Sequence, residues 1–252
     1  MGKVIAIANQ KGGVGKTTTC INLCCALHNR GKRVLICDTD PQGNSTSGMG
    51  VDKSIRPNIY DVLINNEPIE KTIIETRYGD IIPANRILSG ATVELVDMDR
   101  REFVMKRTLQ SIKEKYDFMF IDCPPSLEML TLNALCASDS ILVPLQCEYY
   151  AMEGLSDLMN TVKMINSKLN PELNVEGLIL TMYDKRTKFS DQVAEEVRKH
   201  FGNLVFATTI PRNVRIGESP SHGKPVIMYD RISKGSRAYL QLASEFLRRQ
   251  KV

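Results

Sequence analysis

A glycine-rich stretch near the amino terminus carries lysine and threonine side chains at a spacing suited to phosphate chemistry. It spans residues 9–19 and reads NQKGGVGKTTT. An apolar, partly β-branched segment precedes it and apolar residues at helical spacing follow it, which predicts a strand-to-helix turn. Its glycines permit positive φ and inward-pointing N–H groups, and the helix that begins near Lys16 adds a partial positive charge. The turn should therefore bind phosphates, with Lys16 on the β/γ-phosphates and the Thr17 hydroxyl as a Mg²⁺ ligand.

The turn departs in two ways from a strict P-loop, whose pattern is G-x-x-x-x-G-K-[ST]. Gln10 occupies the position of the first glycine, and a second lysine, Lys11, lies inside the loop. Lys16 already serves the bound phosphates, so the pattern does not account for Lys11. The alternative interpretation is an ordinary glycine turn with two solvated lysines. The order of strand, turn, Gly-Lys-Thr and helix disfavours it.

Two further predicted strands lead into acidic loops at their carboxyl ends. One leads into DTDPQGN at residues 38–44 and the other into DCPPS at residues 122–126. In an open parallel sheet the loops at the carboxyl ends of the strands face the ligand crevice, which brings Asp40 near the γ-phosphate. An apolar strand that ends in aspartate has the Walker B form, so Asp122 is predicted to hold Mg²⁺ directly or through water. For Asp40 the alternative is an Asp-Pro turn with a helix cap.

The string KGGVGKTT at residues 11–18 resembles the deviant Walker A motif of the ParA/MinD group of P-loop ATPases, in which the early lysine is the signature residue. The resemblance covers residues 3–239 and includes QCEYYAMEGL at residues 146–155, and the string DCPPS is similar to ParA where MinD-like chains usually differ. It implies that ATP is sandwiched in a dimer and that Lys11 crosses to the nucleotide of the partner subunit, where it stabilises transition-state charge.

The resemblance also implies a set of site residues. Asp40 orients or activates the attacking water, and Glu148 receives no role. The string TIPRNVR at residues 209–215 borders the adenine in the family. The catalytic residues are then Lys11, Lys16 and Asp40, and the metal residues are Thr17 and Asp122. The nucleotide-binding residues are Lys11, Gly12, Gly13, Val14, Gly15, Lys16, Thr17, Thr18, Met182, Pro211 and Asn213.

By resemblance the chain is identified as a short ParA/Soj-type partitioning ATPase. Such a protein uses ATP and Mg²⁺ and has weak ATPase activity on its own. It dimerises with ATP and binds DNA without sequence preference. A ParB-type partner stimulates it in chromosome or plasmid partition. The expected location is cytoplasmic and nucleoid-associated, with no membrane partner, since the sequence shows no signal peptide and no run of ~20 apolar residues.

Three alternatives accompany this interpretation. A MinD-like membrane regulator would need a basic amphipathic tail, whereas the chain stops at residue 252, just after a core-facing apolar stripe. A cluster-scaffold ATPase is disfavoured because no C-x-x-C pair is present. A regulatory ATPase that uses hydrolysis as a timer shares every motif and stays open.

The net charge of +4 is unevenly distributed. Residues 185–252 hold 14 Lys/Arg against 6 Asp/Glu, a net of +8, which leaves −4 for residues 1–184. A basic carboxy-terminal third is a candidate polyanion surface. Without a helix-turn-helix, zinc or RNA-binding signature, its contacts should be to phosphates. Taken singly, each of these residues is more simply a solvated side chain. The candidate DNA contacts are Lys185, Arg186, Lys188, Arg215, Lys224 and Arg237.

Strands and helices alternate along the chain, which predicts one three-layer α/β domain over residues 1–252 with a mostly parallel sheet. The seven cysteines lie mostly in apolar segments and are expected to be reduced core residues. Strands are predicted over residues 4–8, 32–37, 80–83, 117–121, 140–144 and 175–181, with a strand-end loop over 209–215. Helices are predicted over residues 18–30, 58–63, 91–96, 101–116, 127–137, 190–201 and 235–249, with another long helix ending at residue 169.

Overall fold

The computed structural model describes residues 2–148 and 151–250. The two ends of the predicted domain, and the tyrosine pair within QCEYYAMEGL, lie outside the described residues. Within them, the strands are β1 (Lys3–Ile7), β2 (Val34–Asp38), β3 (Asp80–Ile82), β4 (Phe118–Asp122), β5 (Ser140–Gln146) and β6 (Asn174–Thr181). They form a six-stranded parallel sheet with the order β3-β2-β4-β1-β5-β6. The predicted α/β fold with a parallel sheet is thereby confirmed.

Helices cover both faces of the sheet. The first six helices are α1 (Lys16–His28), α2 (Asn44–Gly48), α3 (Ile59–Ile64), α4 (Leu88–Glu94), α5 (Val104–Gln110) and α6 (Met129–Ala137). They are followed by α7 (Ala151–Lys168), α8 (Lys188–Phe201), α9 (Val214–Glu218), α10 (Val226–Tyr229) and α11 (Lys234–Arg249). Residues of α3 to α8 pack into one hydrophobic core, and residues of α1, α10 and α11 pack into the other.

The central strand β1 shows why the sheet needs helices on both sides. Val4 and Ala6 belong to the core beneath α3 to α8, while Ile5 and Ile7 belong to the core beneath α1 and α11. Successive side chains of a strand point to opposite faces, so an apolar residue at every position requires a cover on each face. The continuous apolar run in the sequence is thus explained by burial of both faces.

The predicted helix over residues 101–116 is wrong as a continuous element. A short 3-10 turn (Arg101–Phe103) precedes α5, and another (Lys113–Lys115) follows it. The side chain of Asn133, on α6, donates to Arg101 O at 2.9 Å and accepts from Met105 N at 3.1 Å. These two backbone groups would bond to each other in an unbroken α-helix. The amide of Asn133 replaces that bond and separates the two segments.

The segment before residues 209–215 is not a regular strand either. It makes isolated bridges from Val205 to Leu178 and from Pro211 to Tyr183. The backbone N–H groups of Ala207 and Thr208, between these bridges, both donate at 2.8 Å to the carboxylate of Glu245 on α11. Because these donors are taken by a side chain, the ladder with β6 is interrupted.

All seven cysteines are buried and unpaired with one another, and burial raises the pKa of each thiol above its usual value. They therefore pack as small apolar side chains, as predicted. Across residues 2–148 and 151–250, the structure contains no helix with the combined length and apolar character that crossing a bilayer requires.

Candidate functional site

The glycine-rich turn joins β1 to α1 and is anchored to two neighbouring strands. Gly13 and Gly15 have φ of 73° and 90°, in the region that favours glycine. The Thr181 hydroxyl at the end of β6 donates to Val14 O at 2.8 Å, and Asn9 Nδ2 donates to Pro144 O on β5 at 2.8 Å. The loop is thus held at the carboxyl edge of the sheet, as its motif predicted.

Lys16 is the first residue of α1 and is 6% exposed. Its Nζ donates to Lys11 O at 3.0 Å, across the mouth of the turn. Burial lowers the pKa of Lys16, while the nearby carboxylates of Asp122 and Asp40 act in the opposite direction. The ammonium therefore lies inside the turn, close to both predicted acidic residues, on a carbonyl oxygen that a phosphate oxygen could replace.

Asp122 ends β4 and is fully buried. Its Oδ2 accepts from the Ser45 hydroxyl at 2.7 Å, whereas Oδ1 has no hydrogen-bond partner among the described residues. Burial raises the pKa of Asp122 to about 6, which the Ser45 and Thr17 hydroxyls partly offset. A buried carboxylate oxygen without a donor, beside the Thr17 hydroxyl, fits Mg²⁺, which takes hard oxygen ligands and completes its shell with phosphate oxygens and water.

A second buried carboxylate, which was not among the predicted site residues, lies beside Asp122. Asp38 ends β2 directly opposite Asp122, and its Oδ2 accepts from Thr46 N at 2.8 Å and Thr46 Oγ1 at 2.7 Å. Burial, reinforced by Asp122, raises the pKa of Asp38 to about 7. An apolar strand ending in aspartate was the signal that identified Asp122, and it applied equally to Asp38.

Asp40 lies two residues beyond the end of β2, in the turn that leads to α2. It is 9% exposed, and its Oδ1 accepts from Gln42 N at 2.9 Å. Its charge acts on both Lys16 and Asp122, so the structure brings these three predicted residues together. Asp40 therefore both forms the Asp-Pro turn and lies near the glycine-rich turn, so the two interpretations of this residue are compatible.

Lys11 lies on the exposed front of the turn, together with Gly12 and Gly13. Its ammonium pairs with the carboxylate of Glu148, just after β5. Both side chains are more than 40% exposed. A Cβ added to Gly13 would meet no atom within 4 Å. Lys11 is thus accessible, and within one chain its ammonium contacts the carboxylate of Glu148 and not the glycine-rich turn.

The predicted base contacts lie beside a large groove of about 1280 Å³. Pro211 and Asn213 line it, and the buried Oδ1 of Asn213 has no hydrogen-bond partner within the described part of the chain. Met182 follows β6 with φ of 49°, and its neighbour Tyr183 contributes to the lining. The other lining residues are Asp184, Lys185, Arg186, Ala207, Thr208, Thr209, Arg212, Val214, Arg215, Lys234, Arg237, Ala238, Gln241, Glu245 and Arg248.

This groove, which we call the basic groove, also gathers most of the predicted DNA contacts. Lys185, Arg186, Arg215 and Arg237 line it, and Lys188 begins the adjacent α8. Lys224 lies in the segment between α9 and α10 and does not contribute to the lining. Two acidic residues, Asp184 and Glu245, line the groove against seven basic ones, so its surface is strongly cationic.

Comparison with known proteins finds a matching family model and relatives that are similar over nearly the whole chain. A family model described as an AAA domain matches residues 2–175. The chain is 54% identical over 250 residues to the sporulation initiation inhibitor protein Soj of Bacillus subtilis (strain 168), covering 97% of this chain and 98% of that protein. It is 51% identical over 252 residues to the chromosome partitioning protein ParA of Myxococcus xanthus (strain DK1622), covering 99% and 89%.

A similar architecture is found in a solved structure. The crystal structure of cobyrinic acid a,c-diamide synthase from Mycobacterium smegmatis, with bound ADP and magnesium, aligns with a TM-score of 0.87 at 37% identity. The alignment covers 100% of this chain and 96% of that one.

Proposed function

Because this chain belongs to the Soj/ParA family of partitioning ATPases, we propose that it hydrolyses ATP with Mg²⁺ and uses the nucleotide to control dimerisation and DNA binding. The observation that carries the proposal is the convergence of Lys16, Asp40 and Asp122 in one buried site at the carboxyl edge of β1, β2 and β4. The Mycobacterium smegmatis neighbour holds ADP and magnesium, which supports the same cofactors here.

Each residue has a distinct proposed task. Lys16 exchanges its bond to Lys11 O for phosphate oxygens, and Thr17 and Asp122 hold the metal. Bound Mg²⁺ would neutralise charge on the β/γ-phosphate oxygens. Asp40 orients or activates the attacking water. Pro211 and Asn213, with Met182 nearby, are the proposed contacts of the adenine.

Dimerisation is proposed to complete the site through Lys11. Its side chain is exposed and Gly13 beside it faces open space, so a second turn can approach closely. In the dimer, Lys11 leaves Glu148 and reaches the nucleotide of the partner subunit. An exposed ion pair contributes only about 0–1 kcal/mol, so giving up the contact with Glu148 costs little.

The basic groove is the proposed DNA surface. Its Lys and Arg side chains suit contacts to phosphates, which do not depend on base sequence. One groove per subunit gives weak binding, and two grooves held in one dimer bind as a bivalent unit. DNA affinity thus becomes conditional on ATP. We further propose a ParB-type activator as partner and a cytoplasmic, nucleoid-associated location.

A second candidate function is a regulatory ATPase with hydrolysis as a timer. The Bacillus subtilis relative is named a sporulation initiation inhibitor, which favours this alternative. A ParB-like gene immediately downstream, with centromere-like repeats, would instead support partition.

Sedimentation with and without ATP, then with added DNA, tests the proposal. The wild-type chain should sediment as a monomer without nucleotide and as a dimer with ATP and Mg²⁺. Lys11→Ala should bind ATP as a monomer, whereas Lys163→Ala, at an exposed position on α7, should behave as wild type. A Lys11→Ala protein that dimerises with ATP and hydrolyses it normally would show that Lys11 is only a solvated loop residue.

A further inference from the structure

Two arginines of the basic groove each direct two guanidinium nitrogens at carboxylates of the same chain. Arg215 Nη1 donates to Glu218 Oε2 at 2.8 Å, and its Nε lies 3.3 Å from Asp230 Oδ2. The Tyr229 hydroxyl also donates to Glu218 Oε2, at 3.4 Å. Glu218 and Asp230 therefore hold the guanidinium of Arg215 from two sides.

Arg186 is held in the same way on another part of the groove lining. Its Nε and Nη2 donate to the two oxygens of Asp184 at 2.9 Å and 2.7 Å. This bidentate pair lowers the pKa of Asp184 to about 2, mainly through the hydrogen bonds from Arg186. By contrast, no ion pair is found within residues 2–148 and 151–250 for Lys185, Lys188, Lys224 or Arg237.

Arginine binds a phosphate most strongly through two parallel N–H donors. The Nε and Nη2 groups of Arg186 already donate to Asp184, and the Nε and Nη1 groups of Arg215 face two carboxylates. A bidentate contact from the Nε edge of either arginine to a DNA phosphate must therefore displace an intramolecular carboxylate. The side chains of Arg215 and Glu218 are exposed and that of Asp230 is partly exposed, so these ion pairs add little to folding.

We propose that Glu218 and Asp230 set the DNA affinity of this protein, by competing with backbone phosphates for the guanidinium of Arg215. This inference rests on the proposed DNA-binding function and concerns the regulation of that same surface. The two carboxylates keep the DNA affinity of this cation-rich surface low enough for the protein to release DNA. Asp184 has the equivalent role toward Arg186.

The test measures binding of a labelled random-sequence duplex to the full chain, with ATP, Mg²⁺ and the Asp40→Ala change to preserve the nucleotide. Glu218→Gln keeps a hydrogen-bond acceptor for Arg215 and removes its charge. It should tighten binding roughly two- to fivefold at low salt, and adding Asp230→Asn should tighten it further. The matched control is Glu172→Gln, which removes the same charge at an exposed position before β6. It should change affinity by much less.

A double-mutant cycle separates competition for Arg215 from a general field effect. In an Arg215→Gln background, Glu218→Gln should lose most of its effect, since no guanidinium remains to release. Equal tightening with and without Arg215 would overturn the inference, as would unchanged or weaker binding by Glu218→Gln in a protein that keeps its circular dichroism spectrum. If neither wild type nor the amide variants bind DNA with ATP, the proposed DNA-binding function itself fails, together with this inference.

Discussion

Removing the charge of Asp122 should stabilise the metal-free protein while abolishing its Mg²⁺-dependent reaction. Asp122 is fully buried, one of its oxygens has no donor among the described residues, and burial raises its pKa from 3.8 to about 6. At neutral pH a shift of this size corresponds to roughly 3 kcal/mol of instability. Asp122→Asn retains an acceptor for the Ser45 hydroxyl. Its new amide group offsets part of the gain, by about 1 kcal/mol if it finds no acceptor.

The expected net gain is therefore roughly 2 kcal/mol, or a rise in Tm of about 4–8 °C for a chain of this size. A raised pKa in the folded state means that the contribution of Asp122 is fully present below the unfolded value and is lost as pH rises through about 6. The advantage of Asp122→Asn should consequently be large near pH 8 and small near pH 4.

The assay is urea or thermal unfolding of both proteins in EDTA at these two pH values. Asp157→Asn, on the exposed surface of α7, is the control and should change stability by less than about 0.5 kcal/mol. An Asp122→Asn protein no more stable than wild type near pH 8, or one with the same advantage at both pH values, would refute a destabilising charge at Asp122. Saturating Mg²⁺ and nucleotide should stabilise wild type and not the variant.

Three further results are expected. Lys16→Ala should lose nucleotide binding, whereas Asp40→Ala should bind ATP and stop turnover, because the proposed mechanism places Lys16 on the phosphates in the ground state and has Asp40 act on water. Hydrolysis by Asp40→Ala at the wild-type rate would contradict the assignment. The ATP-loaded Asp40→Ala protein should bind several unrelated duplexes with equal affinity. The logarithm of its binding constant should fall against the logarithm of salt concentration with a slope of about 0.9 for each phosphate neutralised. A flat salt dependence, a preferred sequence, or equal binding without nucleotide would exclude the proposed switch. Although burial acts in the opposite direction, hydrogen bonds from Thr208, Ala207 and Arg249 lower the pKa of Glu245. Glu245→Gln should therefore lower the free energy of unfolding, measured with urea, by roughly 1–3 kcal/mol at neutral pH. The loss should become progressively smaller as pH falls below 4.5.

Much of the candidate site was predictable because its components are local in sequence. The phosphate-binding turn is a contiguous stretch between one strand and one helix, and the glycines that it needs are adjacent to Lys16. Asp40 and Asp122 follow apolar runs, and parallel strands end at a common edge, so the meeting of these residues follows from the fold class. Asp38 obeyed the same rule and was overlooked.

Other features depended on partners far away in the chain. The helix predicted over residues 101–116 has a good apolar period, and the amide of Asn133 on α6 breaks it near its start. The bonds from Ala207 and Thr208 to Glu245 likewise divert donors that β-propensity would assign to a ladder. Local pattern cannot anticipate a side chain that arrives from another element and takes backbone groups.

The amino-acid sequence by itself determined the phosphate-binding turn, the strand-terminal aspartates and the basic carboxy-terminal third, because each is a property of neighbouring residues or of composition. Only the tertiary structure decided what those charges contact. Lys11 meets Glu148 across 137 positions of the chain, and Arg215 meets Asp230 because α9 and the end of α10 fold against each other. Ion pairs depend on distances of a few ångströms, and such distances between remote residues are fixed by packing.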